Sequence, residues 1–386
     1  MTPPASVANK VPIGLLLPLS GPSAALGRSL LDASQLALFE VADKNFVLIP
    51  RDTMGTPEGA RAAAASAIED GAKLLLGPVF ASSALAVAPL ARDPGINMVA
   101  FTNNRAAAGD GAFVMGFLPS QRIERVVSYA ASRGASRFAA VLPQGPYGDT
   151  ARDAFLRAVA RAGAGVVRIE RYVANAKSMA EAAKRLGKYD ARRNALFVQR
   201  KTLSATDDEV SRRALNRLIH KETLGEVDFD AVLLLETGEA IKGLAPLLPY
   251  YDIDIRTVRV LGIDDWSDRS LRREPSLARA WFASPPIDAA AEFMTRFKKI
   301  YAQLPHALAP LAYDATALAA VLASREGDAN FGVEALTAEN GFAGSAGLFR
   351  LLRSGLVEHQ FAVFEVQQDK IKIVSDAPQS FGVPIN

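Results

Sequence analysis

Apolar and polar positions alternate along this chain in blocks of two kinds. Residues 11–17, VPIGLLL, form an almost wholly apolar run closed by Pro18, Ser20, Gly21 and Pro22. A run this short, with turn residues behind it, predicts a strand covered on both faces and feeding a loop. Leu26, Leu30, Ala33, Ala37 and Val41 then recur at steps of three and four, which lines them along one helix face, and Ser23 or Gly27 can start that helix. The alternation repeats as strand 46–50, helix 57–70, strand 74–76, helix 82–92 and strand 96–100. Strand and helix in strict succession predict a parallel α/β sheet.

A second set follows, with helices at 121–133, 150–162 and 178–186 around strands 138–142 and 166–172, and strands 231–235 and 257–261 about a helix at 240–248. Between the sets, residues 113–119 mix apolar side chains with Gly and Pro and suit a passage from one lobe to another. The tail changes character: 348–352, 361–366 and 371–374 are strand-like runs without a helix between them, which predicts antiparallel strands finishing the second lobe. The fold expected is α/β with two Rossmann-like lobes. The first would hold 11–117 and about 266–330, the second 118–265 and about 331–376, with 1–10 as a linker or tail. Residues 190–229 break the period and carry Arg192, Arg193, Arg200, Lys201, Arg212, Arg213, Arg217, His220 and Lys221. They read as an insertion or a long solvated helix with a charged outer face, the alternative being a docking surface for an acidic partner or lipid headgroups.

Composition narrows the function. A chain of 386 residues can bury a core in each of two lobes. With 44 Lys plus Arg against 41 Asp plus Glu, the charge of +3 gives no nucleic-acid footprint. The absence of Cys removes disulfides, thiolate metal sites and Cys nucleophiles. The opening MTPPASVANK is polar, with no apolar run of signal-peptide or membrane-span length; it suits the end of a linker whose leader has been trimmed. His220, His306 and His359 are the three histidines, and none stands beside a nucleophile in sequence. There is no G-x-S-x-G elbow, no G-x-G-x-x-G after the first strand and no phosphate-binding G-x-x-x-x-G-K-[ST]. Asp264 and Asp265 are adjacent, which in a strand sends them to opposite faces. Neither a catalytic set, a metal site nor a cofactor is expected.

What remains is a series of small polar or Gly-containing loops at 19–23, 77–83, 101–104, 144–148, 236–238 and 262–266, each just beyond the C-terminal end of a predicted strand. Open parallel sheets bind ligands at that edge, where the loops diverge and helix N-termini present free N–H groups. Loops from two lobes can line one cleft.

VPIGLLLPLSGPSAALG at 11–27, LLLGPVFASSALAVAPLA at 74–91, PYGDTARDAF at 146–155 and LAYDATALAA at 311–320 resemble the type I periplasmic binding proteins, the leucine/isoleucine/valine receptors that deliver solutes to ABC importers. The resemblance spans nearly the whole chain. It implies a non-enzymatic periplasmic protein with no cofactor, whose lobes are joined by a three-crossover hinge and close on a small-molecule ligand. By position, the family's ligand contacts fall on Ala81, Ser82, Thr102, Asn104, Tyr147, Thr237 and Asp264; Ser20, Phe80, Asn103 and Glu236 complete the candidate set. Phe80-Ala81 and Thr102-Asn103-Asn104 stand where the amino-acid receptors grip the α-carboxylate and α-ammonium with Ser and Thr hydroxyls. A hydroxyl missing at Ala81 would cost a bound carboxylate roughly 1.5–3 kcal/mol. Asp264 keeps an acid where the family holds an ammonium, which suits a cationic or amine-bearing ligand.

Residues 248–286, 341–351 (GFAGSAGLFRL) and 101–119 are similar to the penicillin-binding protein activator branch of the same superfamily. That likeness implies a different partner, a peptidoglycan synthase in place of an ABC importer permease, and a degenerate cleft. The branch's lipobox Cys is missing from this chain. Tyr250, Tyr251, Trp266, Trp281 and Phe282 lie in the first of these segments, with spacing that reads as core.

Overall fold

The computed structural model describes residues 10–206, 208–236, 238, 240–263, 266, 268–324, 329–368 and 370–381. They form two compact units. The first takes the described residues up to Leu118, Pro285–Gln360 and those from Ala377; the second takes Pro119–Ser284 and Phe361–Asp376.

The first unit opens with β1 (Val11–Leu17), α1 (Ala24–Val41), β2 (Phe46–Asp52), α2 (Pro57–Glu69), β3 (Leu74–Leu76), α3 (Ala81–Arg92), β4 (Asn97–Ala100) and β5 (Ala112–Val114). The strands pair in the order β2-β1-β3-β4-β5, all parallel. The apolar run of β1 is explained by its place inside this sheet. Ile13, Leu15 and Leu17 pack with α1 and residues 311–318, while Leu16 packs on the other face with Ala60, Ala64 and Leu75. Each fully buried Leu contributes roughly 1.5–3 kcal/mol, so both faces of the strand are committed to the core. α2 begins where Thr56 accepts a hydrogen bond from Gly59 N, with Pro57 at the first position and Glu58 in the first turn.

The second unit contributes α4 (Pro119–Ser132), β6 (Arg137–Pro143), α5 (Pro146–Arg161), β7 (Gly165–Tyr172), α6 (Ala176–Leu186), α7 (Tyr189–Ser204), α8 (Glu209–Leu218), β8 (Ala231–Leu234), α9 (Ala240–Leu244), α10 (Leu247–Tyr250), β9 (Arg259–Gly262), α11 (Arg269–Arg272) and β10 (Trp281–Ser284). The chain then returns to the first unit for α12 (Ile287–Tyr301), α13 (Ala309–Ala323), α14 (Val333–Leu336) and the antiparallel sheet of β11 (Phe342–Gly344), β12 (Gly347–Leu351) and β13 (Val357–His359). Finally β14 (Ala362–Val366) and β15 (Ile371–Ser375) complete the second unit's sheet, ordered β15-β14-β10-β9-β8-β6-β7. β6 to β10 run parallel in it; β14 and β15 pair antiparallel at one edge. Arg125 of α4 secures that edge, donating from Nε to Phe361 O at 2.8 Å and from Nη2 to Ser375 Oγ at 2.6 Å.

The unit boundaries correct the sequence reading in two places. The return to the first unit falls after Ser284 and not near 266, because β10 hydrogen-bonds to β9 and β14. The tail strands are divided: β11 to β13 belong to the first unit, where Val114 N donates to Gly355 O at 2.8 Å, and only β14 and β15 finish the second. The first passage to the second unit follows Leu118, within 113–119, whose first two residues end the edge strand β5. The irregular 190–229 segment is the pair α7 and α8. Its outer face is charged, but Arg192 points inward and is buried. Trp266, Trp281 and Phe282 are core, whereas Tyr250 is 71% exposed. Among the described residues no helix is long and apolar enough to cross a membrane.

Candidate functional site

In the first unit, Ser20, Phe80, Ala81, Ser82, Thr102, Asn103 and Asn104 follow the C-terminal ends of β1, β3 and β4, three consecutive strands of one sheet. The loop after β1 is set by Asp52 at the end of β2, whose Oδ1 accepts from Leu19 N at 2.9 Å, Ser20 N at 3.2 Å and Met54 N at 2.8 Å. Partial burial raises the Asp52 carboxyl, but the hydrogen bonds from Ser20, Met54 and Leu19 outweigh it and hold the group below the usual carboxylate range. Ser20 itself is exposed.

The loops after β3 and β4 are bound to each other: Gly77 N donates to Val99 O at 2.8 Å and Phe101 N to Pro78 O at 2.9 Å. A side chain at Gly77, where φ is +88, would come within 2.3 Å of Leu16 O, so only glycine lets the strand leave the sheet here. Phe80 is the N-cap of α3, with extended backbone and no side-chain cap. The helix's first internal bond runs from Ala84 N to Phe80 O at 2.9 Å, so the amides of Ala81, Ser82 and Ser83 precede the ladder. Ser82 is exposed; Ser83 is fully buried, and its Oγ has no partner among the described residues. Ser83 was missed by sequence reasoning, which took the adjacent Ala81-Ser82 pair from the resemblance.

Thr102 is buried and turns the next loop: its Oγ1 accepts from Asn104 N at 3.1 Å and its carbonyl from Gly116 N at 3.0 Å. Asn104 caps a 3₁₀ turn at Arg105–Ala107 through Ala106 N at 2.9 Å, and Asn103 stands exposed between them.

In the second unit, Tyr147 lies in the first turn of α5 and is 46% exposed. That turn is pressed on the end of β6, since a Cβ on Gly148 would lie 1.8 Å from Pro143 O. Glu236, half-buried after β8, accepts a hydrogen bond from the hydroxyl of Tyr172, the last residue of β7. Burial first, and the Glu236 carboxylate second, push the Tyr172 hydroxyl well above the ordinary phenol range. Nothing in the pattern of β7 marks Tyr172; its role appears only when the β7 and β8 ends come together. Thr237 and Asp264 lie outside the described residues, as does Asp265. Trp266, next to them, is buried against Gly262, and its indole N–H has no partner among the described residues. No cluster of His, Asp and Glu suited to a metal ion occurs among the described residues.

Of the histidines, His359 is buried, with Nε2 3.1 Å from Met115 O, and His306 starts the loop into α13 through Leu308 N at 3.1 Å. Both serve local structure.

Two units, each built on a parallel-rich sheet with its polar loops at the strand ends, give the chain the type I periplasmic binding protein fold. Residues 10–192 match the Periplasmic binding protein family. Among solved structures, a candidate branched-chain amino acid ABC transporter protein from Rhodospirillum rubrum is similar at TM-score 0.73 and 16% identity, over 95% of this chain and 100% of that one. Full-length LpoA from Haemophilus influenzae is similar at TM-score 0.66 and 16% identity, over 96% of this chain and 59% of that one. Among curated proteins, the Leu/Ile/Val-binding protein BraC3 of Rhizobium johnstonii is 32% identical over 95 residues, 23% of this chain and 26% of that protein. The chain spans well under half the length of the curated relatives it matches, 38% and 26%. At these identities the structural likeness shows the fold.

Proposed function

We propose that the chain is a periplasmic, non-enzymatic receptor that holds a small polar solute at its strand-end loops. The observation that carries this reading is the uncapped first turn of α3 beside Thr102. Three amides ahead of the helix ladder and a threonine hydroxyl lie at neighbouring strand ends, a setting suited to a carboxylate. On the second unit, Glu236 and, by sequence, Asp264 supply acids for an amine. The solute class is therefore a carboxylic acid that also carries an amine, in keeping with the matched family and with the similarity to a Leu/Ile/Val-binding protein. The missing hydroxyl at Ala81 is offset here by backbone amides and by Ser82. An ABC importer permease is the partner this reading implies.

The test is a thermal-shift screen against amino acids, polyamines, aromatic acids and muropeptides. A solute at about 100 times its Kd adds roughly 2.7 kcal/mol to the native state. The reading expects a shift with an amino-acid-like class that shrinks in Thr102→Val and Glu236→Gln. No shift with any class would overturn it.

The likeness to LpoA over 96% of this chain favours one second reading, an activator-like protein that works by contact with a peptidoglycan synthase and leaves the cleft empty. Retention of purified synthase by the immobilised protein, together with a silent solute screen, would select it.

A further inference from the structure

Tyr250 ends α10, and Tyr251 follows it, half-buried. Tyr251 meets Tyr250 edge-to-face, with centroids 5.0 Å apart and planes at 86°. It meets Tyr189, the first residue of α7, in the same way at 5.3 Å and 70°. The three rings line one cavity of about 590 Å³, whose polar walls include Glu181 of α6, Arg193 of α7 and Glu222. None of these residues belongs to a loop that follows the C-terminal end of a strand, so the cavity is separate from the candidate solute site.

The walls are held in place. Asp252, directly after Tyr251, has a left-handed backbone with φ of +57. Its carbonyl accepts from Arg192 Nη2 at 2.7 Å, and its carboxylate from the same nitrogen at 3.3 Å and from the Thr223 hydroxyl. Arg192 is buried and also donates to Gly187 O at 3.0 Å. The turn bearing Tyr250 and Tyr251 is thus fastened to the helix bearing Tyr189, and the aromatic corner is preformed. A tyrosine ring left 71% exposed against a fixed frame is an unused apolar face.

We infer that this cavity is a second ligand site and that it takes a neutral saccharide ring. A pyranose offers a C–H face for an aromatic ring and a rim of hydroxyls, each both donor and acceptor. The cavity offers the matching set: Tyr250 as platform, Glu181 and Glu222 as acceptors, and Arg193 as a fork of donors. Its mixed charge argues against an ion. Lys184 and Asp252, which also line it, are paired with Asp190 at 3.0 Å and with Arg192, so the other charges in the lining are one guanidinium, Arg193, and two carboxylates, Glu181 and Glu222. An ammonium would meet the guanidinium, and a carboxylate would meet two acids. Tyr189 already donates to Glu222 Oε2 at 3.2 Å, which orients one acceptor.

The experiment is calorimetric titration of the full chain with maltotriose, cellotriose and the N-acetylglucosamine trimer, and separately with tetramethylammonium. At least one trisaccharide binds, Tyr250→Ala weakens it about tenfold or more with an unchanged far-UV spectrum, and Tyr250→Trp restores it. Thr102→Val, at the strand-end loops, leaves saccharide affinity as it was, which separates this site from the proposed solute site. Three results would each overturn the inference: no trisaccharide binding at millimolar concentration, binding of tetramethylammonium only, or saccharide binding that survives Tyr250→Ala.

Discussion

The backbone amide of Ser345 donates to Asp314 Oδ1 at 2.5 Å, joining α13 to the turn between β11 and β12. Asp314 is 2% exposed, and its Oδ2 has no hydrogen-bond partner among the described residues. Gly344 lies so close that a Cβ there would be 2.5 Å from that oxygen. Burial pushes the Asp314 carboxyl up to about 6, from 3.8 in an unstructured chain. Between those values the folded protein holds a proton that the unfolded chain has released, so this group's stabilisation is complete below about pH 4 and is lost as pH rises through 6. Asp314→Asn keeps the acceptor for Ser345 and removes the titration. The melting temperature of the Asn variant relative to the parent should rise between about pH 4 and 6.5, by an amount equivalent to about 2–3 kcal/mol. A difference that stays flat across that window would show that Asp314 is ionised throughout.

Gly27 illustrates a different constraint, that of backbone approach. It sits in the first turn of α1, and a Cβ there would lie 2.0 Å from Pro18 O. Gly27→Ala should move the helix off the loop that carries Ser20 and cost roughly 1–3 kcal/mol in urea denaturation. Gly243 in α9 has open space around its Cβ position. Gly243→Ala should be neutral or should stabilise by up to about 1 kcal/mol. Equal effects of the two substitutions would contradict the packing described for α1.

The basic segment divides along the same line of burial. Arg212, Arg213 and Arg217 lie exposed on α8, where Arg213 pairs with Glu209 in an exposed contact one turn away. Replacing all three with Gln should change stability by less than about 0.5 kcal/mol per site. Arg192 is different, since its loss strands Gly187 O and Asp252 O and removes a donor to the Thr223 hydroxyl. Arg192→Ala should cost roughly 2–4 kcal/mol in chemical denaturation. A cost below about 1 kcal/mol would mean that water replaces those bonds and that the Tyr250 turn is not fastened as described.

These contrasts show what the sequence carried and what it did not. β1 and β3 were legible because a strand inside a parallel sheet needs apolar residues on both faces, and Ile13 to Leu17 and Leu74 to Leu76 supply them without interruption. β10 was hidden because Trp281-Phe282-Ala283-Ser284 is short and lacks a helical neighbour of clear period before it; its place is fixed by pairing with β9 and β14, which are distant in sequence. The same holds for Arg192, one of nine basic or histidine side chains in its segment by sequence, whose burial depends on a carbonyl 60 residues away. Strand-end loops could be placed by rule, but Ser83 and Tyr172 could not. Their environments come from helix and strand ends meeting in space, and no periodicity encodes that.

Tyr172 gives the last prediction. Its buried ring lies at the end of β7, and its hydroxyl donates to Glu236 after β8, two strands away, so the phenol stays protonated in the folded state well past its ordinary range. Above pH 10 the unfolded chain loses this proton and the folded protein keeps it, so stability from this group is complete below pH 10 and declines as pH rises further. Tyr172→Phe removes the titration, and the parent should therefore lose melting temperature relative to the variant between about pH 9.5 and 11. At pH 7 the Phe variant should be less stable by about 1 kcal/mol, because Glu236 is half-exposed and regains water when its donor is lost. If Glu236 receives the solute's amine, the same variant should also bind that solute several-fold less tightly, although the substituted ring would not touch it, since the carboxylate is no longer held in one orientation. Unchanged affinity alongside the expected pH behaviour would confine the Tyr172 contact to folding and remove Glu236 from the solute site.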